Sequence, residues 1–272
     1  MKKYDLIIEN EESLNVKTMN GLQTSSRLSN FTKKGLRKFQ NDKIYSFNYF
    51  GSISNDNFIK NSDVDRTEGV PFDYELNSFK SKRFTSLNYG SLSKEEYKDY
   101  ISDCEKIVSL YKQDFNFIGT YSYQNMSNTL LDDSGSELIA EKSYFYNWYR
   151  MTAKGSTNIM DGYIWNQDQQ LGVSNLSNMF GKTLDLYFQR TNIENGTYPV
   201  LFIQSDDAEG KFLEKIEFSL KANHYFDNSG LLNGKLGKKV FSDKFSISDN
   251  CVNEMFGVYL PFDGEGFTRS HN

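Results

Sequence analysis

The chain has 272 residues, 38% of them hydrophobic and 25% charged, with a formal net charge of −5. That length allows one large domain or two modest ones. The acidic balance argues against a nucleic-acid duplex as the main partner, because neutralising phosphates needs clustered lysine and arginine.

No window approaches the ~18 consecutive apolar residues that a membrane span needs. The opening MKKYDLIIENEESL has too short an apolar run for a secretory leader. The chain therefore reads as cytoplasmic, with no membrane partner. From residue 4 to about 50 the pattern is strands and tight turns. Leu14, Val16 and Thr18 alternate with polar neighbours and meet Asn20-Gly21, a strong hairpin signal. A second hairpin runs through GLRKFQ, a turn at Asn41-Asp42, and KIYSFNYF. Its basic cluster, Lys33, Lys34, Arg37, Lys38 and Lys43, is interleaved with Phe31, Phe39 and Tyr45. That mixture suits either a single-strand stacking platform or a hairpin whose outer face is solvated by lysines, and the second reading is favoured. Residues 51 to 92 are rich in Ser, Asn and Asp; they predict a short helix near Asn55 to Asn61 and then a long surface connection.

Ser93 with Glu96 forms a capping-box signature, and Tyr97, Tyr100, Ile101, Cys104, Ile107, Val108 and Tyr111 then recur at helical spacing. Cys104 on that stripe reads as a small buried hydrophobe. Cys104 and Cys251 are too few for a disulfide framework. With two histidines in all, a structural zinc site would need every one of these side chains to converge. No cofactor is expected. FNFIGTYSYQ, NMSNTLLDD, ELIAEKSYFYNWYRMTAKG and NIMDGYIWNQ predict three or four antiparallel strands. Within them Asp132 and Asp133 read as turn formers rather than paired catalytic acids, and the Asn147-Trp148-Tyr149 cluster reads as core and sheet face. Val173, Leu176, Met179, Phe180, Leu184, Tyr187 and Phe188 mark a second amphipathic helix. NGTYPVLFIQ then predicts a strand, and Asp206 with Glu209 caps a third helix, FLEKIEFSLKANH, with Phe212, Ile216 and Leu220 on one stripe. No Gly-x-Ser-x-Gly elbow and no phosphate-binding Walker loop occurs.

Taken in order, these segments carry a resemblance. The paired hairpins of ESLNVKTMNGLQTSSRLSNFTKKGLRKFQNDKIYSFNYFGSIS, the strands NTLLDDSGSELIAEKSYFYNWYRMTAKG and DGYIWNQ, and the stretch GTYPVLFIQSDDAEGKF with GKLGKKVFSDKFSISDN and PFDGEG are similar in sequence and order to the TldD/PmbA family. The resemblance implies an α+β fold: a mostly antiparallel sheet with packed helices over residues 1–193, then the start of a β-rich C-terminal domain over 194–272. Family members continue well beyond the point where this chain stops, so the C-terminal domain is expected to be incomplete.

The family's TldD and TldE (PmbA) subunits form a heterodimeric metallopeptidase that trims unfolded or modified peptides. Its metal helix carries HExxxH about twenty residues before a G-x-x-G segment, here Gly234 to Gly237. Counting back places Leu213 and Phe218 at the histidine positions and Glu214 at the glutamate, with His224 beyond them. Leucine and phenylalanine have no donor atom for zinc. The resemblance therefore implies a non-catalytic TldE/PmbA-like subunit with no metal site, partnered by a TldD-like HExxxH subunit or by itself. The alternative is a stand-alone peptide-binding scaffold. Asp263 and Glu265, which match a segment near the family's peptidase cleft, join Glu214 as candidates for a cleft or interface role, although FDGEG reads first as a solvated glycine turn.

Overall fold

The computed structural model describes residues 3–72, 76–87, 89–90, 93–166, 173–191, 194–199, 208–220, 224, 227–245, 252–253 and 258–268. The chain begins as a meander of β1 (Tyr4–Met19), β2 (Leu22–Gln40) and β3 (Lys43–Phe50). The two turns work for the reason the sequence suggests. Asn20 and Gly21 have φ of 51° and 88°, and Asn41 and Asp42 have 51° and 56°. This left-handed pair matches the twist of the flanking strands, and Asn, Asp and Gly adopt it most readily. There follow α1 (Asn55–Asn61), a single 3-10 turn at Val64–Arg66, β4 (Val70–Pro71), β5 (Lys82–Thr85), α2 (Lys94–Ser109), β6 (Phe115–Asp132), β7 (Glu137–Ala153), β8 (Gly162–Asn166), α3 (Val173–Phe188), α4 (Ala208–Leu220), β9 (Val252–Asn253) and β10 (Val258–Tyr259).

The fold is α+β. One eight-stranded sheet runs in the order β4-β3-β2-β1-β6-β7-β5, with β8 also paired to β7. Its neighbours are antiparallel, apart from β5, which lies parallel to β7. The chain divides into two compact units, Met1–Gln189 with Asn250–Asn272, and Arg190–Asp249.

Two expectations change. FNFIGTYSYQ and NMSNTLLDD are one unbroken strand, β6, because Gln124 and Asn125 hold register with both β1 and β7. The connection after β3 is also more structured than its polarity suggests, since it supplies β4 and β5. Residues 194–199 form no regular element. The rest of NGTYPVLFIQ, Asp206, and the part of GKLGKKVFSDKFSISDN beyond Phe245 lie outside the described residues.

Register sorts the two faces of the sheet. Leu14 pairs with Tyr123 and Val16 with Tyr121; Tyr121 pairs with Asn147, and Tyr149 with Ile164. All of these side chains share one face, and helices cover it. Tyr97, Tyr100, Ile101, Cys104 and Val108 of α2, with Leu176, Phe180 and Leu184 of α3, complete this core. α2 starts where Ser93 N donates to Glu96 Oε2 at 2.7 Å and Glu96 N donates to Ser93 Oγ at 3.2 Å. Those bonds hold the Glu96 carboxyl below the usual carboxylate range. A smaller cluster of Leu6, Leu36 and Phe58 seats α1 on the far end of the sheet. Among the described residues no helix is long and apolar enough to cross a membrane.

The basic hairpin is not a lysine-solvated face. Lys34 is 8% exposed, and its ammonium donates to Ile53 O and to Asn55 Oδ1 at 2.6 Å. Lys38 donates to Ser62 O at 2.6 Å, and Lys33 pairs with Glu9 at 3.1 Å. Lys34 and Lys38 tie α1 and its flanks to the sheet, and Lys33 joins β2 to β1. Such use consumes the charges a nucleic-acid platform would need.

Candidate functional site

The sequence candidates fall in different compact units, Glu214 in Arg190–Asp249, and Asp263 and Glu265 with the sheet. On α4, Ile216 is buried while Glu214 and Phe218 are exposed. Ser219 anchors the buried side: its Oγ donates to Lys215 O at 2.7 Å and accepts from Leu231 N at 2.8 Å. His224 is folded back along the helix. Its ring stacks on Phe218 with centroids 3.4 Å apart, and Nδ1 lies 3.2 Å from Ser229 Oγ. The Leu213 side chain lies outside the described residues. Phe218 offers carbon where a zinc ligand would need nitrogen, sulfur or carboxylate oxygen. The donor set on this helix does not fit the metal. Among the described residues, no group of three or more His, Cys, Asp or Glu stands close enough to hold an ion.

Asp263 and Glu265 lie on a tight turn between the bridged residues Phe262 and Thr268. Asp263 Oδ1 accepts from Glu265 N at 3.0 Å and Phe267 N at 2.9 Å, so its carboxylate builds the turn. Gly266 completes it at φ +82°, and a Cβ there would lie 2.4 Å from Phe79. Position 266 therefore requires glycine twice over. Glu265 reaches outward to Arg37 of β2, with Nη1 donating to Oε1 at 3.0 Å. The same guanidinium donates to Gly264 O and pairs with Asp5 at 2.7 Å. Asp5 is 2% exposed. Phe262 adds a ring contact to Phe84 of β5, with centroids 5.9 Å apart. The turn is thus docked on the sheet face opposite α2 and α3.

Two further features carry no linear signature. The first is a buried network beneath α2. Glu105, 8% exposed, accepts from Thr18 Oγ1 at 2.8 Å and from the Tyr121 hydroxyl, which is itself bonded to Tyr149 Oη at 2.5 Å. Burial pushes the Glu105 carboxyl up despite those donors, and pushes the Cys104 thiol up to about 12. A thiol held there is not a nucleophile. The second is an open polar trough of about 600 Å³ between the two apolar clusters, lined by residues that include Asn10, Glu12, Thr32, Asn125 and Ser127. Glu12 in its wall is paired with Lys94. Asp132, weighed in the sequence as one of two acids, is a turn former: its Oδ1 accepts from Ser134 N and Ser136 N, each at 2.9 Å.

Residues 195–272 match the family described as PmbA/TldA metallopeptidase C-terminal domain. No curated protein matches the sequence. Among solved structures, a protein named as a modulator of a DNA gyrase from Thermotoga maritima superposes with a TM-score of 0.76 at 15% identity, covering 98% of this chain and 63% of that one. A second so named, from Bacteroides thetaiotaomicron, gives 0.70 at 12% identity, with 98% and 64% covered. TldE from Thermococcus kodakarensis gives 0.67 at 10% identity, with 98% and 63% covered. The chain spans a little under two thirds of the length of each. Residues 195–272 thus match the C-terminal domain of the PmbA/TldA metallopeptidase family, and the chain shares the fold of these structures over nearly its whole length.

Proposed function

We propose that this chain is a non-catalytic TldE/PmbA-like subunit of a TldD/TldE-type heterodimeric metallopeptidase, acting in the cytoplasm on unfolded or modified peptides. The observation that carries the reading is the chemistry of α4. This helix lies inside the family-matched segment, and the resemblance puts Leu213 and Phe218 where a peptidase of this family keeps its histidines. A hydrolytic zinc centre needs three protein ligands and an open position for water. Glu214, with no metal-bound water to deprotonate, then has no catalytic task. The proposed division is an N-terminal domain over 1–193 and a C-terminal-domain counterpart over 194–272, with Glu214, Asp263 and Glu265 serving a cleft or an interface.

The test is co-expression with a family relative that carries HExxxH. The expected result is a stoichiometric complex whose zinc resides in the relative. About one zinc per chain in this protein purified alone, lost in His224→Ala, would overturn the reading. A second reading, a peptide-binding scaffold with no peptidase partner, draws support from the exposed aromatic face described next.

A further inference from the structure

The sheet face opposite α2 and α3 is used unevenly. At one end it is covered by the Asp263–Gly266 turn, which meets Arg37 and lies against Leu130. At the other end, among the described residues of the compact unit that holds the sheet, no helix or strand packs over this face of β6, β7 and β8. Strict alternation along β7 leaves Phe145, Asn147 and Tyr149 buried toward the helices, with Tyr144, Tyr146 and Trp148 half-buried on the opposite side. Trp165 pairs with Trp148 in register, and Tyr163 with Arg150, so β8 adds its rings to the same face. The rings form one continuous run. Tyr144 meets Tyr146 at 5.5 Å, Tyr146 stacks on Trp165 at 5.2 Å and 14°, Trp165 meets Tyr163 at 6.4 Å, and Tyr163 meets Trp148 at 5.8 Å. Beneath this run Ser122, paired in register with Tyr146, is fully buried, and its hydroxyl has no hydrogen-bond partner.

On β7 the charges beside the ridge are basic, while on β1, two strands away, the same face carries both Lys17 and Glu11, the latter opposite Met126 and so in line with Lys142. Lys142 and Arg150 bracket it on β7, and Lys17 stands on the same face of β1. None of the three is in a salt bridge among the described residues. No carboxylate occupies this face of β6, β7 or β8 around the rings, although the chain as a whole carries −5. The ring geometry then selects among anionic occupants. Nucleic-acid bases stack on ring faces laid open to solvent. Here Trp165 is stacked on both Tyr146 and Tyr163, and Tyr144 and Trp148 are tilted against the ends of the run, so much of the ring-face area is taken up between neighbours. That surface suits aliphatic and aromatic side chains of a polypeptide.

We propose that this ridge is a docking surface for an extended polypeptide segment that alternates apolar and acidic side chains, its apolar groups on the tyrosine and tryptophan edges and its carboxylates on Lys142 and Arg150. The proposal is independent of the subunit reading, because it concerns the chain alone.

The chain supplies its own probe, since its two tryptophans, Trp148 and Trp165, are both in the ridge. The experiment titrates the full chain with a short peptide alternating leucine and glutamate, with its leucine–lysine counterpart, and with oligo-dT, reading tryptophan emission. The leucine–glutamate peptide should shift the emission to the blue in a saturable way, and the other two should not. In Lys142→Glu/Arg150→Glu, affinity for it should fall by about tenfold or more, with unchanged circular dichroism. If that variant unfolds, Arg150→Gln is the substitute and should weaken binding in the same direction. No emission change, equal binding of the lysine peptide, or saturation by oligo-dT would each overturn the proposal.

Discussion

Arg37 and Glu265 are 228 residues apart in sequence and 3.0 Å apart in space. The pair fastens the C-terminal turn to the second strand of the sheet, and its two ends are unequal in their surroundings. Glu265 is exposed, while Asp5, the other partner of Arg37, is buried beside it.

That inequality gives the first prediction. Glu265→Gln removes an exposed partner and should cost about 0–1 kcal/mol. Arg37→Met removes the guanidinium bonded to the buried Asp5 carboxylate at 2.7 Å and should cost more, about 3–5 kcal/mol. Gly266→Ala, with its φ of +82° and the Phe79 ring in the way, should loosen the same turn. Urea denaturation of the three variants checks the order.

A second prediction concerns pH. Burial raises the folded-state pKa of Glu105 above its unfolded value, with bonds from Tyr121 and Thr18 opposing the shift. The folded state therefore holds the proton more tightly. The resulting stability is fully present below the unfolded pKa and is lost as pH rises through the folded pKa, above the usual carboxylate range. Glu105→Gln keeps the shape without the titration, so its melting temperature should vary less with pH, and should gain on the parent protein as pH rises. Parallel melting curves for the two proteins at every pH would refute it.

Phe180 supplies the third. It is fully buried, with ring contacts to Phe117 at 5.5 Å, Tyr149 at 5.1 Å and Tyr111 at 6.0 Å. Through it α3 meets β6, β7 and Tyr111, just past the end of α2. Phe180→Ala should cost about 3–5 kcal/mol. Leu186→Ala on the exposed side of the same helix should stay within about 0.5 kcal/mol. Equal effects would mean that α3 is seated on a different face.

Local rules made much of the fold legible. The Asn20-Gly21 and Asn41-Asp42 turns, the Ser93–Glu96 box and the stripe from Leu176 to Leu184 each declare themselves within a few residues, because turn dihedrals and helix caps depend on near neighbours. What was hidden depends on distant pairing. β5 is four residues beside β7, too short for a period to show. Lys34 looks like a surface lysine until α1 is placed beneath it. The Arg37–Glu265 contact has no local trace at all. In the candidate site, Leu213 and Phe218 could be weighed from the sequence because zinc demands particular side chains. The aromatic ridge was not, because Asn147-Trp148-Tyr149 gives no sign of which residues face the helices until the register with β6 is known.

The central claim is that this chain serves a peptidase without being one. The most direct measurement is hydrolysis of an unfolded peptide by an HExxxH-bearing family relative, with and without one equivalent of this chain. The account predicts no hydrolysis by this chain alone and a gain in rate that saturates near equimolar addition. Hydrolysis by this chain alone that is stopped by a zinc chelator, or a relative whose rate is indifferent to its presence, would contradict it.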